Sequence, residues 1–199
     1  MGVSLSDNGR YLGVSTLSVE NGQGVTQLLL FDTRKGTTLV EERYEGSTPI
    51  SLDVKGSVLV GILNDRAVSV TKSGQKAEYP YNGGSVTCFD NGSEFGTVLV
   101  LGMYQNSLNN RLLLLDEDMD VISDTEIGSE VLGVSVKGNR LALLSNSQVL
   151  FYNRRGKAKG AGELVADGKY VLCKGNFAVV MGAETLQRVG KTSSSLQNS

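Results

Sequence analysis

Residues 136–144 read VKGNRLALL and residues 173–180 read CKGNFAVV, a Lys-Gly turn followed at once by a short apolar run. The same grammar recurs at Asp7-Asn8-Gly9 before YLGVS, at Lys55-Gly56 before SVLVGIL and at Asp90-Asn91-Gly92 before TVLVLGMY. The five turn glycines are separated by 47, 36, 46 and 37 residues. A short alternating segment precedes each turn: VSLS, ISLDV, SVTCF, VLGVSV and KYVLC. Gly and Asn accept the positive φ of a tight turn, so the pattern predicts five antiparallel hairpins.

A second register, found independently of the first, supports the count. LLLFDTRKG, AVSVTKSG, LLLLDEDMD and VLFYNRRG each end an apolar run in a polar turn, at Asp32, Thr71, Asp116 and Asn153, spaced by 39, 45 and 37 residues. The segments that follow, TTLVEERY, QKAEYPY, DVISDTEI and KAKGAGELV, are visibly more polar. Each unit therefore holds strand A, a Gly turn, strand B, a loop, strand C, a turn and strand D. Four strands in roughly 40 to 45 residues is the period of a β-propeller blade. Strand B is almost unbroken apolar sequence because mid-blade strands are covered on both faces, whereas strand D at the rim meets solvent. No helical periodicity of useful length is present.

The expected blades are residues 1–49, 50–84, 85–129, 130–165 and a partial fifth, 166–190, followed by a polar tail, 191–199, expected to be disordered. The fifth unit lacks a D strand. Either a five-bladed ring closes imperfectly, or this is the C-terminal part of a larger propeller. The second is the expectation, because an open blade face is a large exposed apolar patch. Missing N-terminal blades, or self-association, would cover it.

Net charge is −2, with 19 basic and 21 acidic residues spread along the chain. No positive field is available to recruit nucleic acid. Arg154, Arg155, Lys157 and Lys159 surround a Gly-marked turn and read as solvated charge. Cys88 and Cys173 sit beside apolar stretches, without the spacing of a metal knuckle or redox pair, and read as buried thiols. No apolar run reaches the roughly 20 residues that span a bilayer, so no membrane insertion by this segment is expected.

LSDNGRYLGVS resembles the S-x-D-G-x-x-L-A-V-S turn of bacterial propellers, and FDTRKGTTLVEE resembles their D-x-x-T-G-x-x-L turn between strands C and D. By this grammar, residues 1 to about 190 are similar to WD-repeat-like and quinoprotein-like β-propellers. The chain has no His and no Trp, so the Gly-His and Trp-Asp signatures and the tryptophan docking motif are absent. GRYLGVSTLSVENGQGVTQLLLFDTRKG looks closer to a family of unknown function of bacterial propellers from anaerobic Gram-positive organisms, carried behind one N-terminal membrane helix. That resemblance implies an extracytoplasmic, membrane-anchored parent protein.

Chemical signatures are sparse. Asp116, Glu117, Asp118 and Asp120 suggest a calcium loop, but the sixth and twelfth positions hold Val121 and Ile127 where Gly and Glu are needed, so a solvated turn is expected and no metal site is assigned. Without His, Ser and Cys lack their usual base, and no catalytic residue or cofactor site is assigned. A hydrolase using channel carboxylates remains an alternative, since Asp7, Asp53 and Asp90 lie at or near turns between strands A and B. Another is a truncated propeller fragment without independent function.

The loops between strands B and C alternate in length: VENGQG, then NDRA, then MYQNSLNNR, then SNSQ. Long polar loops on a rigid scaffold are where recognition is placed. The expected partner site is Tyr104, Asn106, Asn109 and Asn110, an aromatic ring with amide groups suited to a protein, peptide or glycan. The function expected is a non-catalytic binding or scaffold module.

Overall fold

The computed structural model describes residues 1–91, 96–103 and 106–191, with backbone alone at 103 and 106–109. Among the described residues there are nineteen strands and no helix. The chain divides into two compact units, Met1–Gly83 and Gly84–Ser199.

The first unit holds two sheets. One is β1 (Gly2–Leu5), β2 (Tyr11–Glu20), β3 (Gln23–Asp32) and β4 (Thr37–Glu45); the other is β5 (Pro49–Lys55), β6 (Val58–Leu63), β7 (Arg66–Thr71) and β8 (Lys76–Pro80). The second unit holds three. They are β9 (Gly84–Asp90), β10 (Thr97–Met103), β11 (Asn106–Leu115) and β12 (Val121–Ile127); then β13 (Gly133–Lys137), β14 (Arg140–Leu144), β15 (Gln148–Asn153) and β16 (Ala158–Glu163); then β17 (Tyr170–Cys173), β18 (Phe177–Met181) and β19 (Leu186–Gly190). Every sheet is an antiparallel meander in chain order, four-stranded except for the last, which has three strands.

These elements fall where the two sequence registers place them. Gly9, Gly56, Gly138 and Gly175 all adopt positive φ in the turns between the first two strands of their sheets; Gly92 lies outside the described residues. The polar turns between the third and fourth strands share one device. Asp32 Oδ1 accepts the N–H groups of Arg34 and Lys35, Thr71 Oγ1 that of Gln75, Asp116 Oδ1 those of Asp118 and Asp120, and Asn153 Oδ1 those of Arg155 and Lys157. A short side-chain oxygen thus satisfies amides that a tight turn would leave unpaired. The acidic run at 116–120 is such a turn. Of the tail expected at 191–199, all beyond Lys191 lies outside the described residues.

Side-chain parity decides the packing. Within each unit, where one sheet packs on the next, residues three and five after the turn glycine face the preceding sheet, as Leu59 and Leu141 do, while residues four and six face the following one, as Ala142 and Leu144 do. Leu59 joins Tyr11, Leu28 and Leu30 in one core within the first unit. In the second unit, Leu141 and Leu143 pack with Val98, Val100, Leu112 and Leu114, whereas Ala142 and Leu144 pack with Ala178 and Val180. Both faces of β14 are therefore buried, which is why its sequence carries no alternation. The fourth strands, such as β8 and β12, keep mixed exposure.

Asp32 is nearly buried, and burial alone would raise its pKa. Hydrogen bonds from the Lys35 N–H, from Arg10 and from the Arg34 N–H outweigh that effect and hold the carboxyl below its ordinary value. A depressed carboxyl contributes stability that is complete above its unfolded pKa of about 3.9 and is lost as pH falls through the folded value. Thermal unfolding should therefore show the first unit weakening in acid below about pH 4. Asp32→Asn keeps the turn acceptor but removes the titration, so its acid-induced fall in Tm should be smaller than that of the parent chain. Equal falls would refute this assignment.

Candidate functional site

The two long hairpins between second and third strands are continued sheet. In the first sheet, pairing runs unbroken from Tyr11↔Asp32 to Glu20↔Gln23, and only Asn21 and Gly22 form the turn, with φ of 50° and 80°. The polar stretch VENGQG, which reads as a loop, is strand because Asn-Gly closes a two-residue turn whose twist matches the flanking strands. Arg43 on β4 donates to both Glu20 oxygens at 2.9 and 2.8 Å and also reaches Glu45. Its hydrogen bonds hold the Glu20 carboxyl below the usual carboxylate range.

In the third sheet, β10 and β11 pair from Thr97↔Leu115 to Met103↔Asn106, with a register shift after Gly102. Tyr104 lies outside the described residues, as do the side chains of Asn106 and Asn109, although the backbone of both belongs to β11. Asn110 is buried, and its amide donates to the Ser129 carbonyl at 2.8 Å. Its side chain points into the fold and ties the hairpin base to the connection that follows β12.

Thr26 in the first sheet does the same. It lies six residues before Asp32, as Asn110 lies six before Asp116, and its hydroxyl donates to the Ser47 carbonyl at 2.7 Å. Neighbouring contacts extend the pattern. Ser47 Oγ donates to Asp65, the Thr48 N–H donates to Asn64 Oδ1 at 2.6 Å, and in the second unit Asn146 donates to Glu130. The connections beside the hairpins are thus held by side-chain hydrogen bonds rather than left to solvent. No feature of the sequence marked Thr26 or Asn110 as braces; the shared offset from the turn residue is the only signal, and it becomes readable once both registers are aligned.

Two of the three candidate carboxylates, Asp53 and Asp90, have structural duties. Asp7 is an exposed turn residue. Asp53 accepts the Ser4 hydroxyl at 2.9 Å and the Val54 N–H at 2.8 Å, joining β1 to β5. Asp90 accepts the Val136 N–H at 2.7 Å, joining β9 to β13, and Ser135 accepts the Cys173 N–H at 3.1 Å, joining β13 to β17. First strands of successive sheets are clamped in this way within each unit. Burial pushes the Cys88 thiol up to about 11 against a hydrogen bond with Thr87, and raises Cys173 as well, so both thiols stay protonated at neutral pH.

Solved structures with this arrangement of sheets are β-propellers. The C-terminal WD40 domain of Sif2 superposes with a TM-score of 0.61 at 13% identity, over 94% of this chain and 56% of that one. The RRP9 WD40 repeats give 0.57 at 11% identity, over 96% and 79%, and BamB from Moraxella catarrhalis gives 0.57 at 14%, over 89% and 53%. The chain thus spans little more than half of the Sif2 and BamB chains and about four fifths of RRP9. The fold is an all-β propeller of four-stranded antiparallel blades, and the five sheets are four such blades and a three-stranded fifth. None of the curated proteins matches the chain. A family model described as a family of unknown function, DUF5711, matches residues 1–190. Among the described residues, no helix is long and apolar enough to cross a membrane.

Proposed function

Because the chain belongs to this family of unknown function and its WD40-like propeller fold is suited to a protein-interaction scaffold, we propose that it is a non-catalytic binding module. It holds a protein, peptide or glycan against the hairpin of β10 and β11. The observation that supports this reading most is the bracing of that hairpin. Asn110 anchors its base to Ser129, and the backbone of Asn106 and Asn109 continues β11 beyond that anchor. A hairpin fixed in advance loses little conformational entropy on binding, which is the advantage a rigid sheet offers over a free loop. The acids of the first strands serve as clamps between sheets, which accounts for them without chemistry.

The test is selection of ligands from a displayed peptide library and a glycan array with the intact chain, followed by titration of single variants. Tyr104→Ala should weaken the selected ligand at least about tenfold, as for an aromatic anchor at an interface centre. Asn106→Ala and Asn109→Ala should each cost less. Asn110→Ala should weaken binding together with the protection of β11 amides from hydrogen exchange, because it acts through position. Unchanged affinity in all four variants would remove the hairpin from the site.

A further inference from the structure

Two blades expose the faces that other blades bury. In the sheet β17–β19, Val179, Met181 and Leu186 occupy the positions that Ala142, Leu144 and Val149 hold in the sheet before it. The latter three are fully buried by that next sheet, whereas Met181 is 47% and Leu186 73% exposed. Tyr170 and Leu172 extend the open face along β17. Where the preceding sheet has buried Phe151, this one has Arg188, its guanidinium 4.3 Å from the centroid of the Phe177 ring. This is a following-type face that no described residue covers.

The sheet β1–β4 exposes the opposite type. Leu12 and Val14 stand three and five residues after Gly9, the positions that face a preceding sheet in β6, β14 and β18. Val3 and Leu5 pair with them across β1, and Leu29 and Phe31 flank them on β3. Val3 is 69% exposed and Leu5 54%. Glu41, paired with Leu29 in the register of β4, places an exposed carboxylate on this face.

We propose that a second copy of this chain covers these faces head to tail, with the β17–β19 face of one copy seated on the β1–β4 face of the next. A following-type face on a preceding-type face is the contact that already joins β1–β4 to β5–β8, β9–β12 to β13–β16, and β13–β16 to β17–β19. Arg188 on one side and Glu41 on the other carry opposite charge. Two copies also supply further blades of the class found in the larger propellers that the chain matches. The contact uses different surfaces on its two partners, so it propagates into rings or open chains rather than stopping at a twofold dimer.

Light scattering on the eluting intact chain tests this. The apparent mass should rise with loading concentration to at least about twice that of one chain, as a contact that does not close on itself requires. Met181→Lys with Leu186→Lys blocks one face, and Val3→Lys with Leu5→Lys blocks the other. All four side chains are exposed, and far-UV circular dichroism should show the parent β spectrum for both double variants. Each alone should run as a monomer. An equimolar mixture retains one good pair of faces and should form a one-to-one dimer that does not grow further. Three results would overturn the proposal: an intact chain that stays monomeric at every concentration, either double variant self-associating like the parent, or a mixture that stays monomeric. None of them bears on the hairpin, whose ligand binding is read separately.

Discussion

Gly156→Ala should destabilise the second unit by about 3 kcal/mol, far more than the same change at the equivalent glycine of another blade. Gly156 follows Asn153 in the turn between β15 and β16 with φ of 68°. Its backbone lies so close to β12 that an added Cβ would stand 1.9 Å from Ser123 Oγ and 2.7 Å from Ser123 Cβ. Two costs therefore combine. A left-handed residue other than Gly costs about 1–2 kcal/mol, and forcing a carbon into an occupied contact between sheets costs about 1–3 kcal/mol. Gly74 is the internal control, since it holds the same turn position after Thr71, with φ of 83° and nothing within 4 Å of a built Cβ. Gly74→Ala should show only the first cost, about 1 kcal/mol. Urea unfolding of both variants measures the difference, and equal losses would mean that the contact with Ser123 yields freely. Replacing Ser123 by Gly in the Gly156→Ala background should recover part of the loss, whereas it should recover nothing in the Gly74→Ala background.

The contrast between those glycines also marks how far the sequence could be read. Both sit three residues after a polar turn residue, and that spacing alone predicts positive φ at each. What the spacing lacks is the neighbour: Ser123 belongs to another sheet, and contacts between sheets are set by tertiary packing rather than by local pattern. Met119 shows the same boundary. It occupies the position of Gly74 and Gly156 in the third sheet, with φ of 59°, yet it is a buried methionine. Turns, strand order and the polarity of the fourth strands are readable because each follows from residues close in sequence. The roles of Asp53 and Asp90 are not, since Ser4 and Val136 lie 49 and 46 residues away from them. Asn110 reads as outward-facing for the same reason, its brace Ser129 being 19 residues further along.

Phe151→Ala should cost the second unit about 3–5 kcal/mol, the usual range for deleting a large aromatic side chain from a core. Phe151 is 2% exposed and packs in one cluster with Cys173, Ala178, Val180 and Val189 of the last sheet. That sheet has only three strands, and β19 pairs with β18 alone. Its attachment therefore depends on the apolar surface it buries against β13–β16, together with the hydrogen bond from the Cys173 N–H to Ser135. Emptying the Phe151 site removes the largest contributor on the β15 side, and a close-packed interior relaxes only partly into such a gap. Amides of β17 and β18 should consequently exchange as a local opening, well before those of β10 and β11. Arg188 provides the comparison, being the same repeat position one blade later but exposed, its guanidinium over the Phe177 ring. Arg188→Ala should change stability by about 0.5–1 kcal/mol at most, the worth of an exposed cation–π contact. If the two substitutions cost the same, then position within the blade, rather than coverage by a following sheet, would govern the energetics of this face. If Phe151→Ala costs several times more, coverage by the next blade sets the stability of this face, and the equivalent face of β17–β19, which no described residue covers, lacks that contribution within one chain.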